Sequence, residues 1–234
     1  MFRLLRLIRT SIGKKLLMSL SGLVLILFII GHAVGNLTIF VSANALNTYA
    51  HWLQENPLLW LIRFGMIAIL MIHIALAVVV SRENRRSRSC DYGHDTLWLR
   101  RVKHPFMMWS GAILLLFLLF HIGHLTLGIG GERYMARLDH QGYVDVYARV
   151  VLSFTNPWLT TLYLIAMAAL GLHLYHAIRS VFQTLGFYHD NYFGFFHTLA
   201  LLLTLFTVIG FILILLTALL GGFELATEID HAGT

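Results

Sequence analysis

One cysteine, Cys90, and three prolines are all that this 234-residue sequence holds of those two types. A lone thiol excludes an intrachain disulfide and an iron–sulfur cluster ligated by this chain's own cysteines. Charge is scarce too, at 12% of residues, and that scarcity excludes the solvated surface an ordinary soluble domain needs. The prolines, Pro57, Pro105 and Pro157, fall at or just before the starts of apolar runs, where a missing amide donor costs little.

What the sequence has in quantity is apolar length. Hydrophobic residues make up 58% of the chain and mean hydropathy is +0.76. Long apolar runs lie at about 18–40, 58–80, 106–129, 158–180 and 196–220, each long enough at 1.5 Å per residue to cross a hydrocarbon layer of roughly 30 Å. The predicted fold is all-α: one membrane domain, 1–234, built as a bundle of five transmembrane helices.

Basic residues set the predicted orientation. Arg3, Arg6, Arg9, Lys14 and Lys15 precede the first run, and Arg82, Arg85, Arg86, Arg88, Arg100, Arg101 and Lys103 outnumber Glu83, Asp91 and Asp95 between runs two and three. Both stretches belong inside, which puts the N-terminus in the cytoplasm and the C-terminus, with Glu224, Glu228 and Asp230, outside. Their membrane-flanking positions suit anionic headgroups or a cytoplasmic partner and argue against nucleic acid. No small-residue cleavage site follows the first run, so that helix is expected to be retained.

The connections differ in character. NALNTYAHWLQENP, after run one, is amphipathic enough to lie at the interface, and the long GIGGERYMARLDHQGYVDVYARVVLSFTNP stretch reads as an ordered exterior cap. LQENPLLW and SFTNPWLT open runs two and four alike, which by itself does not establish a repeat.

Four histidines, His32, His73, His121 and His173, each lie about fifteen residues into a separate run. Because the runs alternate in direction, His32 and His121 share one depth and His73 and His173 another, with the two levels on the order of 15 Å apart. Paired imidazoles on facing helices are what a haem iron requires, and two separated pairs suit planar cofactors better than a single tetrahedral zinc or copper site. Without paired cysteines for covalent attachment, the cofactors implied are two haem b. His124 and His176 each follow a proposed ligand by three positions, on nearly the same helix face, so spacing alone does not choose within either pair. Their other roles would be a contact with a haem propionate or quinone, or an interhelical hydrogen bond. Gly22, Gly31, Gly35, Gly65, Gly111 and Gly171 could open room between helices, and Arg63 reads as a buried charge that either snorkels or meets a haem propionate.

At GLVLILFIIGHAVGN, MIHIALAV, WSGAILLLFLLFHIGHLT and GLHLYHAIRSVFQTLG, the chain resembles the two-haem, five-helix cytochrome b anchor subunit of the succinate dehydrogenase and fumarate reductase family. The resemblance covers nearly the whole chain. It implies that His32 and His121 ligate an outer haem and His73 and His173 an inner one, leaving His124 and His176 in supporting roles. It also implies a complex in a bacterial cytoplasmic membrane. There a flavoprotein and an iron–sulfur subunit on the cytoplasmic side deliver electrons from succinate through this multi-pass subunit to menaquinone, with room for a dimer of heterotrimers.

The same resemblance places a quinone cavity near the outer haem, where Glu55 is the candidate proton-handling acid with His51 and Asn47 as neighbours. Some fumarate reductases of the family carry a glutamate two residues before the fourth-helix ligand, whereas this chain has Gly171. That favours succinate oxidation, with a quinol-oxidising fumarate reductase anchor as the alternative direction. The cytochrome b of another respiratory oxidoreductase is a more distant reading, and a haem-free transporter or anchor is the contrasting class.

Overall fold

Polar side chains of Thr10, Ser42, Asn56, Asp145 and Asn156 accept backbone amides where helices start. The structure, a computed structural model, describes residues 10–86, 98–130, 136–187 and 190–225, with backbone alone at 98–105 and 190–191. Several residues used above for charge or cysteine chemistry lie outside the described residues: Arg3, Arg6, Arg9, Arg88, Cys90, Asp91, Asp95, Glu228 and Asp230. So do the side chains of Arg100, Arg101 and Lys103.

Helix α1 spans Ser11–Leu37, and its first turn is closed by Gly13 N donating to Thr10 Oγ1 at 3.0 Å. A 3-10 turn, Thr38–Phe40, leads to the short α2, Ala43–Glu55, capped by Ser42. Asn56 Oδ1 accepts from Leu58 N at the start of α3, Leu58–Arg86, whose last turn holds Arg85 and Arg86 against the negative end of the helix. Helix α4, Trp98–His121, runs into a π turn at Ile122–Thr126. Asp145 caps α5, Val146–Phe154; Asn156, followed by Pro157, opens α6, Pro157–Thr184; and α7 spans Asp190–Leu219.

Five of these helices are long and apolar enough to cross a membrane, and the architecture is an all-α, multi-span bundle. Most extend past the predicted apolar runs, because helical hydrogen bonding continues into the charged flanks. The far end of the third run falls short: helical structure ends at Thr126, and Gly128 turns the chain with φ +73°, a conformation glycine adopts without steric cost.

Helix α6 is the hub, packing against α1, α4, α5 and α7, while α1 also packs against α3 and α7. Tyr163, Ala166, Met167, Leu170, Leu174, Ile178 and Val181 form its buried stripe at helical spacing. Helices α3 and α4 keep broad apolar faces exposed, including Phe64 and Met71 on one and Trp109 and Leu116 on the other. Such faces are what lipid contact requires, since lipid tails are as apolar as these side chains. Glu83 pairs with Lys14, joining the far ends of α3 and α1.

Helices α2 and α5 form a cap over one end of the bundle. Asn47 Nδ2 donates to Asp145 Oδ1 at 3.0 Å, and Asn47 Oδ1 accepts from Tyr147 N at 2.9 Å. Tyr147 Oη then donates to Glu224 O at 3.0 Å beyond the end of α7. The predicted interfacial stretch and the predicted ordered cap are thus two halves of one polar network.

Candidate functional site

His32 lies five residues from the cap end of α1, and His121 closes α4 just before the π turn. Their rings meet edge to face, with centres 6.1 Å apart and planes at 90°. Phe28 and Phe211 pack on His32 with ring centres 5.8 Å away, while Phe117 and Tyr163 approach His121 to 5.7 and 5.9 Å. His121 Nδ1 is buried without a hydrogen-bond partner. The Asn36 amide donates to His32 O at 2.8 Å and stands 3.4 Å from both nitrogens of the His32 ring.

His73 and His173 lie at mid-helix, fifteen and sixteen residues from the cap ends of α3 and α6. That is roughly 22–24 Å along the helix, against about 8 Å for His32, so two levels separated by about 15 Å result. Ser21 Oγ lies 3.2 Å from His73 Nδ1, and Ser110 Oγ lies 3.2 Å from His173 Nδ1. Beside each serine a glycine makes room: a Cβ on Gly22 would stand 3.3 Å from His73 Cε1, and one on Gly111 would stand 3.4 Å from His173 Cε1.

The two histidines that spacing left interchangeable have separate surroundings. His124, inside the π turn, is buried with Nδ1 2.9 Å from Tyr163 Oη, so its polar atom already has a protein partner. His176 is exposed.

Other residues singled out in the sequence do not gather at the histidine pairs. Arg63, read above as a buried charge, is exposed and lies 5.0 Å over the Trp60 ring; the outer face of α3 carries it away from the bundle. Asn47 is committed to the cap network. His51 stacks on Tyr143 with ring centres 3.5 Å apart and pairs with the exposed Glu55 at 3.3 Å. A cleft of about 460 Å³ in the cap is lined by Asn47, Arg137, His140, Asp145 and Tyr147 among others, and includes neither His51 nor Glu55.

The glycines divide likewise. Gly22 and Gly111 admit histidine rings, Gly35 admits the Tyr49 ring, and Gly171 meets Val208. A Cβ at Gly31 or Gly65 would meet nothing within 4 Å, leaving open space beside each.

Among the described residues, no three or more His, Cys, Asp or Glu side chains gather as a metal site. Two imidazoles bonded to opposite sides of one metal ion at about 2 Å each have ring centres roughly 6 Å apart. The His32–His121 separation and the orphaned His121 Nδ1 fit that use, and so do the cradled rings of His73 and His173. Sequence reasoning missed Ser21, Ser110, Tyr163 and Asn36, whose polar atoms stand within 3.5 Å of these histidines. No protein-family model matches the chain, and no curated protein or solved structure matches it.

Proposed function

We propose that this chain is a di-haem cytochrome b, the membrane anchor and electron conduit of a succinate:menaquinone oxidoreductase. The observation that carries the reading is the pairing of His32 with His121, perpendicular at 6.1 Å, with His73 and His173 on two further helices at a level about 15 Å deeper. In it, His32 and His121 hold the outer haem b and His73 and His173 the inner one. Bound haem supplies reversible one-electron chemistry, and the protein tunes it through ligand basicity, hydrogen bonding and burial.

The chain's own residues bind and orient. Phe28 and Phe211 pack on the His32 ring and Phe117 on the His121 ring, while Gly31 and Gly65 leave open space beside their helices. The basic inner stretches face the cytoplasm in this reading and receive the flavoprotein and iron–sulfur subunits. The C-terminus is exterior, and menaquinone is reduced near the outer pair. Gly171, at the position where related fumarate reductases carry a proton-transferring glutamate, supports the succinate-oxidising direction.

The test is haem stoichiometry with reduced-minus-oxidised spectroscopy on the purified chain or its complex, followed by succinate-to-menaquinone turnover. Two low-spin b-type haems per chain is the expected result. A folded, cofactor-replete sample with no haem overturns the proposal.

A further inference from the structure

We infer that Ser21 and Ser110 are positioning residues that hold His73 and His173 in one tautomer, with Nδ1 protonated and Nε2 left as the ligating atom. This rests on the haem reading for its consequence, but the tautomers themselves do not depend on it.

The argument is an accounting of protons. A serine hydroxyl has one proton to donate. Ser21 Oγ donates it to Met18 O at 2.9 Å and Ser110 Oγ to Met107 O at 3.2 Å, in both cases the carbonyl three residues back. Each oxygen then presents a lone pair to the imidazole, which favours a hydrogen on the nitrogen facing it at 3.2 Å. A neutral imidazole protonated on Nδ1 has its lone pair on Nε2, and a metal-binding histidine is ordinarily held in this way by an acceptor on its other nitrogen.

The device occurs twice, in equivalent places. Ser21 and Gly22 precede His32 on α1 as Ser110 and Gly111 precede His121 on α4, with eleven residues from serine to histidine in both. Asn56 and Pro57 open α3 as Asn156 and Pro157 open α6, and sixteen residues separate each proline from His73 or His173. The bundle therefore contains two copies of one helix-pair unit. The first helix of each unit supplies an outer histidine and cradles the inner histidine of its own second helix. The outer pair lacks the device: Asn36 offers His32 an amide donor, and His121 Nδ1 has no partner.

The experiment uses full-length protein labelled with 15N-histidine, haem-free and haem-loaded, with ring resonances assigned from His73→Ala and His173→Ala. His73 and His173 should both read as the Nδ1–H tautomer before haem is added. Ser21→Ala should shift His73, and Ser110→Ala should shift His173, toward Nε2–H or a mixture, while Ser→Thr, which keeps the hydroxyl, should restore the wild-type signal. In loaded protein the alanine variants should retain the inner haem about 10- to 100-fold more weakly. The inner midpoint potential should rise, because a less basic ligand favours ferric iron less. The outer haem, at one per chain, reports that the variant is folded.

An Nε2–H tautomer in the wild type overturns the inference, and so do alanine variants with unchanged tautomers and an unchanged inner haem. Wild-type protein that takes up no haem sinks the functional reading instead, while the haem-free spectra still decide the tautomers.

Discussion

His32 on α1 and His121 on α4 face each other at 6.1 Å with perpendicular rings, although 89 positions separate them in the chain. If they share one iron, His32→Ala or His121→Ala should remove the outer haem and leave the inner. His73→Ala or His173→Ala should do the reverse. Haem per chain and reduced-minus-oxidised spectra read both outcomes, and the assignment fails if His124→Ala and His176→Ala change haem content while the His121 and His173 variants do not.

Tyr163→Phe removes the hydroxyl that pairs with His124 Nδ1 at 2.9 Å and leaves a buried nitrogen unsatisfied. The expected cost is about 1–3 kcal/mol in unfolding measurements. Haem ligation should be unchanged, and a loss of haem equal to that of His121→Ala would make Tyr163 part of the ligand site.

Gly35→Ala would place a Cβ 2.5 Å from Tyr49 Cε1 and 2.7 Å from its Oη. That overlap forces the Tyr49 ring to shift or α1 and α2 to move apart, at about 1–3 kcal/mol. Adding Tyr49→Ala should make the double variant less destabilised than the sum of the two singles, a coupling that a double-mutant cycle measures directly.

Asn47 and Glu55 should separate stability from turnover. Asn47→Ala strips the acceptor from the buried Tyr147 N–H and should destabilise the cap by about 1–3 kcal/mol. Glu55 is exposed, so Glu55→Gln should leave stability unchanged while slowing quinone reduction. Unaltered quinone turnover would remove Glu55 from any required role.

Burial, with the nearby Glu224 and Asp145 carboxylates, pushes the Tyr147 phenol above its ordinary value. The fold therefore favours the protonated form, and this contribution is whole below about pH 10 and lost as pH rises beyond it. Tyr147→Phe should flatten that alkaline fall in stability, seen by comparing melting temperatures across pH.

Much of this arrangement was legible in the sequence because membrane-length apolar runs and helical rise are nearly sufficient to set it. Run length gave five spans, and counting 1.5 Å per residue from alternating ends paired His32 with His121. What stayed hidden depends on contacts between distant segments. The bond from Asn47 to Asp145 joins positions 98 residues apart, and no local pattern announces it. Arg63 misled because it sits in an apolar run, and hydropathy carries no information about which side of a helix a residue faces. The separation of His121 from His124 was equally invisible, since it depends on a π turn that changes the angular spacing assumed for an α-helix.

The central place of α6 also bears on how the protein is made. Helices α1 and α3 can pair once both have left the ribosome, but α4 has its main packing partner in α6, which is synthesised later. Until that fourth span is inserted, the first three form an incomplete shell in which α4 lacks its main partner. A truncation before Pro157 should then strand the early helices as a partly packed intermediate exposed to membrane quality control.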